Sequence, residues 1–251
     1  MRPQVDVPVG QVPAGTIVYA IGDVHGRRDL LAALRRSVFD DAAQRIEKRR
    51  VLVYLGDYVD RGPESRGVVQ MLRDEPLPGF ETVMLRGNHE DMLVQAADGG
   101  SGDIIEAWLT YGGIETLRSY GAPEPVLSRL RHDSDPAGEV VREFVPQADI
   151  DWMRSLAHHH REGGYLFVHA GIRPGVAFDQ QRTEDLMWIR DPFLKSDADL
   201  GAVVVHGHTP RRQPEVRRNR INVDTGAFAT GVLTCVVLTG SEQRFVVARQ
   251  P

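Results

Sequence analysis

The chain has 251 residues, of which 41% are hydrophobic and 26% charged, a balance that excludes a mostly disordered protein and allows a substantial core. Its net charge of -5 gives no overall attraction to nucleic acid, and its one cysteine, Cys235, excludes both an intramolecular disulfide and a thiolate metal cluster. Met1 to Gly15 carry Pro3, Pro8 and Pro13 without the continuous apolar stretch of a signal peptide, and no other run is long enough to span a bilayer. The expectation is one α/β domain over residues 1–251, cytoplasmic and without nucleic-acid or membrane partners.

In chain order, short apolar β-branched runs at Thr16 to Ile21, Val51 to Leu55 and Thr82 to Leu85 read as buried strands. Between them, Leu30 to Ile46 and Ser65 to Arg73 read as helices, which is the alternation of an α/β sheet. From Asp91 to Arg161 the pattern turns helical and irregular, with Trp108, Leu109, Ile114 and Leu117 spaced for one apolar helix face and Pro123, Pro125, Pro136 and Pro146 as breaks, so a helical insertion is predicted over 91–161. Strands resume at Tyr165 to Val168 and Ala202 to Val205. Ile221 to Val223, Gly231 to Leu238 and Arg244 to Ala248 follow as short strands with glycine turns.

Each of the five longer apolar strands ends in a polar cluster: GDVHG at Gly22 to Gly26, GDYVDRG at Gly56 to Gly62, GNHE at Gly87 to Glu90, HAG at His169 to Gly171 and HGHT at His206 to Thr209. Ligands of open α/β sheets bind beyond the carboxyl ends of the strands, so five such loops can converge on one place. Carboxylates, an amide oxygen and imidazoles together suit Mn, Fe or Zn. Asp23, His25, Asp57, Asn88, His169 and His208 are enough donors for two divalent ions about 3.5–4 Å apart, with Asp57 as the bridge.

Two divalent ions held by two carboxylates and neutral ligands leave a surplus of positive charge. That surplus would attract a phosphate and lower the pKa of a bridging water towards about 7, making it a nucleophile at neutral pH. Arg61 could clamp the phosphate oxygens bidentately. His89, directly after Asn88, is placed to protonate the leaving oxygen, and Asp60 is a suitable partner to orient it.

The five clusters, in this order over Ile17 to Leu238, resemble the calcineurin-like metallophosphoesterase superfamily, and within it the bacterial phosphoprotein phosphatase branch. The resemblance implies two mixed β-sheets packed as a sandwich and flanked by helices. It also implies a first metal held by Asp23, His25 and Asp57, and a second by Asp57, Asn88, His169 and His208, with manganese as the usual ion. Arg190, in the segment Met187 to Asp191, matches the second phosphate-contacting arginine, and Asn88 faces the substrate as well. Pro210 stands where many phosphodiesterases of the superfamily have a further histidine, which favours monoesters. Asp224 to Phe228 read DTGAF where eukaryotic members have a different segment.

The implied reaction is hydrolysis of phosphoserine or phosphothreonine in a protein, or of a small phosphoester. The alternatives are symmetrical cleavage of dinucleoside tetraphosphates and a non-catalytic scaffold. Several residues read as bystanders: His206 as a non-ligand, His158, His159 and His160 as a solvated turn, and Asp133, Asp135, Glu139 and Glu143 as surface residues. Arg211, Arg212, Arg217, Arg218 and Arg220 either guide an acidic substrate or form a solvated hairpin.

Overall fold

The computed structural model describes residues 10–250, so Pro3, Pro8 and the rest of residues 1–9 lie outside it. The strand β1 (Thr16–Ile21) is buried along its whole length, as is most of β2 (Arg49–Tyr54). Both are apolar on both faces because each face packs against something, which is why their sequences read as continuous apolar runs. Val18, Ala20, Val51 and Val53 point into the space between two sheets, while Ile17, Tyr19, Ile21 and Leu52 point out towards helices.

The first sheet has the order β10-β9-β1-β2-β3, with β3 (Glu81–Met84), β9 (Val232–Thr239) and β10 (Glu242–Arg249) completing it. Strands β1, β2 and β3 run parallel, and β9 and β10 add an antiparallel edge. The second sheet joins β4 (His159–Glu162), β5 (Tyr165–Val168), β6 (Val203–His206), β7 (Glu215–Val216) and β8 (Arg220–Asn222) in the order β4-β5-β6-β8-β7. There β5, β6 and β8 are parallel. The two sheets face each other through Val18, Val53, Leu55, Phe167, Val205, Val223 and Val236, all fully buried. This is the predicted sandwich of two mixed sheets.

Helices cover both outer faces. The helix α1 (Arg28–Ala43) buries Leu30, Leu34, Val38 and Ala42, one every four residues, against the first sheet. With α2 (Ser65–Asp74) it forms the near part of that layer. The rest is the insertion: α3 (Asn88–Ala97), α4 (Gly102–Trp108), a π-helical turn Leu109–Gly113, α5 (Ile114–Ser119), α6 (Glu124–Leu130), α7 (Ala137–Phe144) and α8 (Gln147–Ser155). A short helix, α9 (Thr183–Trp188), lies over the second sheet with Leu186, Ile189 and Phe193 against Leu166 and Val204. The last helix, α10 (Ala227–Thr230), caps the turn into β9.

Four expectations are corrected. The helical layer begins at Asn88, inside the GNHE cluster, not at Asp91. The helix expected to reach Ile46 ends at Ala43, and Ile46 is left 93% exposed. His159 and His160 lie in β4, an edge strand paired antiparallel with β5, and not in a turn. Alternation explains this: the His160 ring packs on Phe167, while Glu162 is buried and bridged by Arg49 at 2.7 Å. Finally Arg220 is neither a steering group nor solvated. It is buried in β8, donates to the carbonyls of Leu194 and Ser196, and lies over the Phe193 ring.

Candidate metal and phosphate site

The carboxyl ends of β1 and β2 are laced together by their own backbones. Val24 and His25 both donate to the Asp57 carbonyl, at 3.0 and 2.8 Å, and Gly26 donates to that of Tyr58. The ends of β5 and β6 are joined in the same way, with Gly207 N donating to the His169 carbonyl at 2.8 Å. The two sheets then meet at Asp23, whose Oδ2 accepts the His208 N–H at 2.9 Å. A Cβ at Gly207 would lie 2.0 Å from Asp23 Oδ1, and one at Gly22 would lie 2.6 Å from the Val223 carbonyl, so both close approaches need glycine.

Of the predicted ligands, His25, Asp57, Asn88, His169 and His208 come together on this seam. Asp23 belongs to neither of the two close groups of donor atoms there and meets them through its bond to His208 N, whereas His89, predicted as the acid, lies in one of them. One atom each from His25, Asp57 and His89 lie within 4.8 Å of one another, as do atoms of Asp57, His169 and His208. Asp57 belongs to both groups, the position expected of a bridge. Asn88 Oδ1 lies 3.0 Å from His169 Nε2 and 2.8 Å from His208 Nδ1. His25 and His169 are each oriented by an Nδ1–H donated to a backbone carbonyl, of Val59 and of Leu55, both at 2.8 Å. Each therefore turns its Nε2 to the seam, the usual posture of a metal-binding imidazole. Burial lowers the His169 pKa, but Asp57 and Asp23 outweigh it and raise it to about 10, so an ion there would have to displace the Nε2 proton.

Burial and mutual charge explain the protonation states. Burial pushes the Asp23 carboxyl well up, and Asp224 and Asp57 push it further. Burial alone would raise Asp57, but His169, His89 and His25 outweigh it and hold that carboxyl well below its usual range. Burial, with His89 beside it, keeps His25 down. Buried carboxylates, imidazoles and an amide oxygen, with Asp23 Oδ1 left without any hydrogen-bond partner, form a donor set that fits divalent cations.

His89 is separate from the ligands in its bonding. Its Nδ1 is 2.7 Å from Asp60 Oδ2, and its Nε2 faces the pocket, 3.2 Å from Arg61 Nη2 and 3.9 Å from Asp57 Oδ2. Burial lowers the His89 pKa, but Asp57 and Asp60 outweigh it and raise it. Asp60 is fully buried, and its other oxygen accepts from Thr116 Oγ1 at 2.6 Å and from Trp108 Nε1 at 3.2 Å. The helical insertion thus reaches under the site. It also supplies Tyr111 beside Arg61 in a cavity of about 290 Å³ that is lined by Asp57, Asn88, His89, Trp188, Arg190 and His208 as well.

Arg61 and Arg190 both line that cavity. The Arg61 guanidinium lies 4.8 Å over the Phe228 ring, whose edge meets His25, and Arg190 Nε contacts His208 Nε2 at 3.3 Å. Of the bystanders, His206 has its Nδ1 against the Gly207 carbonyl and its ring against Phe193. It belongs to neither group of potential ligands. Arg211 and Arg217 of the arginine cluster both pair with Glu215 in their own hairpin.

Four residues central to this geometry have no role assigned to them from the sequence. Glu90 accepts the backbone N–H groups of Asp57, Tyr58, Val59 and Gly87 and so ties the second loop to the third. Its position three residues after Gly87, at the start of a helix, was the available clue. Trp108 and Thr116 act from a distance, and Asp224 lies in the DTGAF segment.

The model of the calcineurin-like phosphoesterase family matches residues 17–230. Serine/threonine-protein phosphatase 2 of Escherichia coli is 36% identical over 228 residues, 86% of this chain and 90% of that protein. Bis(5'-nucleosyl)-tetraphosphatase PrpE [asymmetrical] of Halalkalibacterium halodurans is 25% identical over 253 residues, 92% of this chain and 94% of that one. A solved structure presented as a diadenosine tetraphosphatase superposes with a TM-score of 0.62 at 21% identity, covering 99% of this chain and 97% of that chain, which shows the shared fold.

Proposed function

The chain belongs to the calcineurin-like phosphoesterase family, and we propose that within it the protein is a phosphomonoesterase acting on phosphoserine or phosphothreonine in proteins. Metallophosphoesterase chemistry follows from the family. The observation that carries the finer reading is the His89–Asp60 pair at 2.7 Å, aimed past Asp57 into a pocket flanked by two arginines.

In this reading Asp23, His25 and Asp57 hold one ion, and Asp57, Asn88, His169 and His208 hold the other, both Mn2+ in preference to Fe or Zn. Bound there, the ions supply charge stabilisation for the transferred phosphoryl group and lower the pKa of the attacking water. Arg61 and Arg190 grip the phosphate oxygens, with Asn88 lining the same cavity. His89, protonated at Nε2, gives its proton to the leaving oxygen. Asp60 holds Nδ1–H and stabilises the charged ring, and Trp108 and Thr116 hold Asp60. The open cavity admits a side chain carrying one phosphate, and intact acid, clamp and donor sets speak against a scaffold.

The tetraphosphatase names among the relatives support a second reading, cleavage of a dinucleoside tetraphosphate at the same residues. Initial rates with Mn2+ on a phosphothreonine peptide, diadenosine tetraphosphate and a bis-aryl phosphodiester, each against a chelator control, separate the two. We expect the peptide to be preferred. Preference for the dinucleotide would move the function to nucleotide hydrolysis, and no metal-dependent rate on any of the three would overturn both.

A further inference from the structure

Six strands of the sandwich run parallel within their sheets, three in each, and five of their carboxyl ends carry the donors described above. The sixth end is that of β8. His206 pairs with Asn222, so Asp224 stands two residues beyond the last pair on β8, as His208 does on β6. The alignment is firm, because Val223 N donates to the His206 carbonyl at 3.0 Å and Asp224 N to Asn222 Oδ1 at 2.9 Å. Across the sandwich, the close approach of Gly22 to Val223 brings this end against the start of the GDVHG loop.

The Asp224 side chain is 2% exposed. Its Oδ1 accepts the Gly226 N–H at 2.8 Å, and its Oδ2 has no partner. Nearby, Asp23 Oδ1 is also unpartnered, and no arginine or lysine pairs with Asp23, Asp57 or Asp224 among the described residues. Asp57 is flanked by His25, His89 and His169, but the buried Asp23 and Asp224 each keep an unsatisfied oxygen, which is costly unless a cation compensates it.

We propose that Asp224 serves the first divalent ion together with Asp23, His25 and Asp57, as a carboxylate that faces that ion and fixes its affinity. This rests on the two-ion reading of the site. It gives the ion a third carboxylate and makes the first position the more strongly anionic of the two, since the second has Asp57 as its sole carboxylate. Two ions and three carboxylates still leave one positive charge, so attraction for a phosphate survives.

The test is Mn2+ binding by calorimetry to metal-stripped protein, wild type against Asp224→Asn and Asp224→Ser, with native far-UV spectra as the folding check. Asn keeps the Oδ1 that accepts the Gly226 N–H, so the turn should survive the exchange. We expect two ions in the wild type and, in both variants, one site weakened about tenfold to a hundredfold with the other nearly unchanged. A matching readout is the thermal shift on adding Mn2+, which should be smaller in the variants. Wild-type affinity at both sites in Asp224→Asn would overturn the role of Asp224 alone, whereas fewer than two ions in the wild type would overturn the two-ion reading itself.

Discussion

The loops at the strand ends and the helical layer beneath them are built on opposite terms. Among the described residues the non-glycines with positive φ are His25 at 44°, Asp57 at 53°, Asp60 at 71°, Arg61 at 67° and His208 at 64°, and all five are site residues. In the helical layer positive φ is confined to glycines such as Gly99, Gly112 and Gly121. Each left-handed non-glycine costs about 1–2 kcal/mol, so the loops hold a strained backbone that only their surroundings can sustain. The layer is ordinary apolar packing. It nonetheless reaches the loops at Asp60, through Trp108 and Thr116, and what happens at that junction decides how far the two regions are independent.

The largest effect is expected where the strained loops meet both groups of ligands. Asp57→Asn should lose at least one ion and lower the rate on the order of a thousandfold or more, since the ions contribute several kcal/mol of transition-state stabilisation. Metal analysis and kcat together check this. His89→Asn should keep both ions and slow kcat about a hundredfold or more. Equal loss of metal in the two variants would show that the division between ligands and acid is wrong.

The acid also has a pH signature. His89 acts protonated, and although burial lowers its pKa, Asp57 and Asp60 raise it above the ordinary histidine value. With ions on Asp57, Asp60 is the carboxylate left to hold that proton, and activity should fall as pH rises through the pKa of the His89–Asp60 pair. Asp60→Asn removes one of the two carboxylates, so the fall should move to lower pH; an unmoved limb would mean that another group sets it.

How much of this was readable without coordinates follows the same division. The donors sit in compact clusters at strand ends, where one short segment contains both the glycine that turns the chain and the polar atom, so Asp23, His25, Asp57, Asn88, His169 and His208 could be named from local pattern. Glu90, Trp108, Thr116 and Asp224 act through partners that folding brings from elsewhere in the chain: Trp108 is 48 residues from Asp60 and Thr116 is 56. A tryptophan at helical spacing looks the same whether it fills a core or also donates a hydrogen bond. The triple histidine misled for a related reason, because a four-residue edge strand of mostly polar residues has no apolar pattern of its own and is defined by β5 beside it.

The junction itself gives the next effect in size. Thr116→Val removes a donor to Asp60 while keeping the shape of the side chain, and losing a hydrogen bond to a buried carboxylate costs about 1.5–3 kcal/mol. If that loss is felt in the transition state, kcat should fall roughly tenfold and the alkaline limb should shift. Leu127→Ala, fully buried in α6 of the same layer, should lower stability by about 2–5 kcal/mol in denaturant titration and leave kcat nearly unchanged. A drop in kcat for Leu127→Ala as large as that for Thr116→Val would show that the whole layer, and not one contact, supports the site.

The smallest expected effect tests whether the phosphate clamp depends on the site loops alone. Phe228 comes from α10, just before β9, yet its ring meets both Arg61 and His25. A guanidinium on a partly exposed ring is worth about 0.5–1 kcal/mol, so Phe228→Leu should raise KM, and the inhibition constant of inorganic phosphate with it, by about twofold to fivefold. Phe228→Tyr keeps the ring face and should restore both. Since His25 also meets that ring edge-on, a loss of bound Mn2+ in Phe228→Leu would instead place the ring with the metal ligands, and a change in kcat without a change in KM would remove Arg61 from its action.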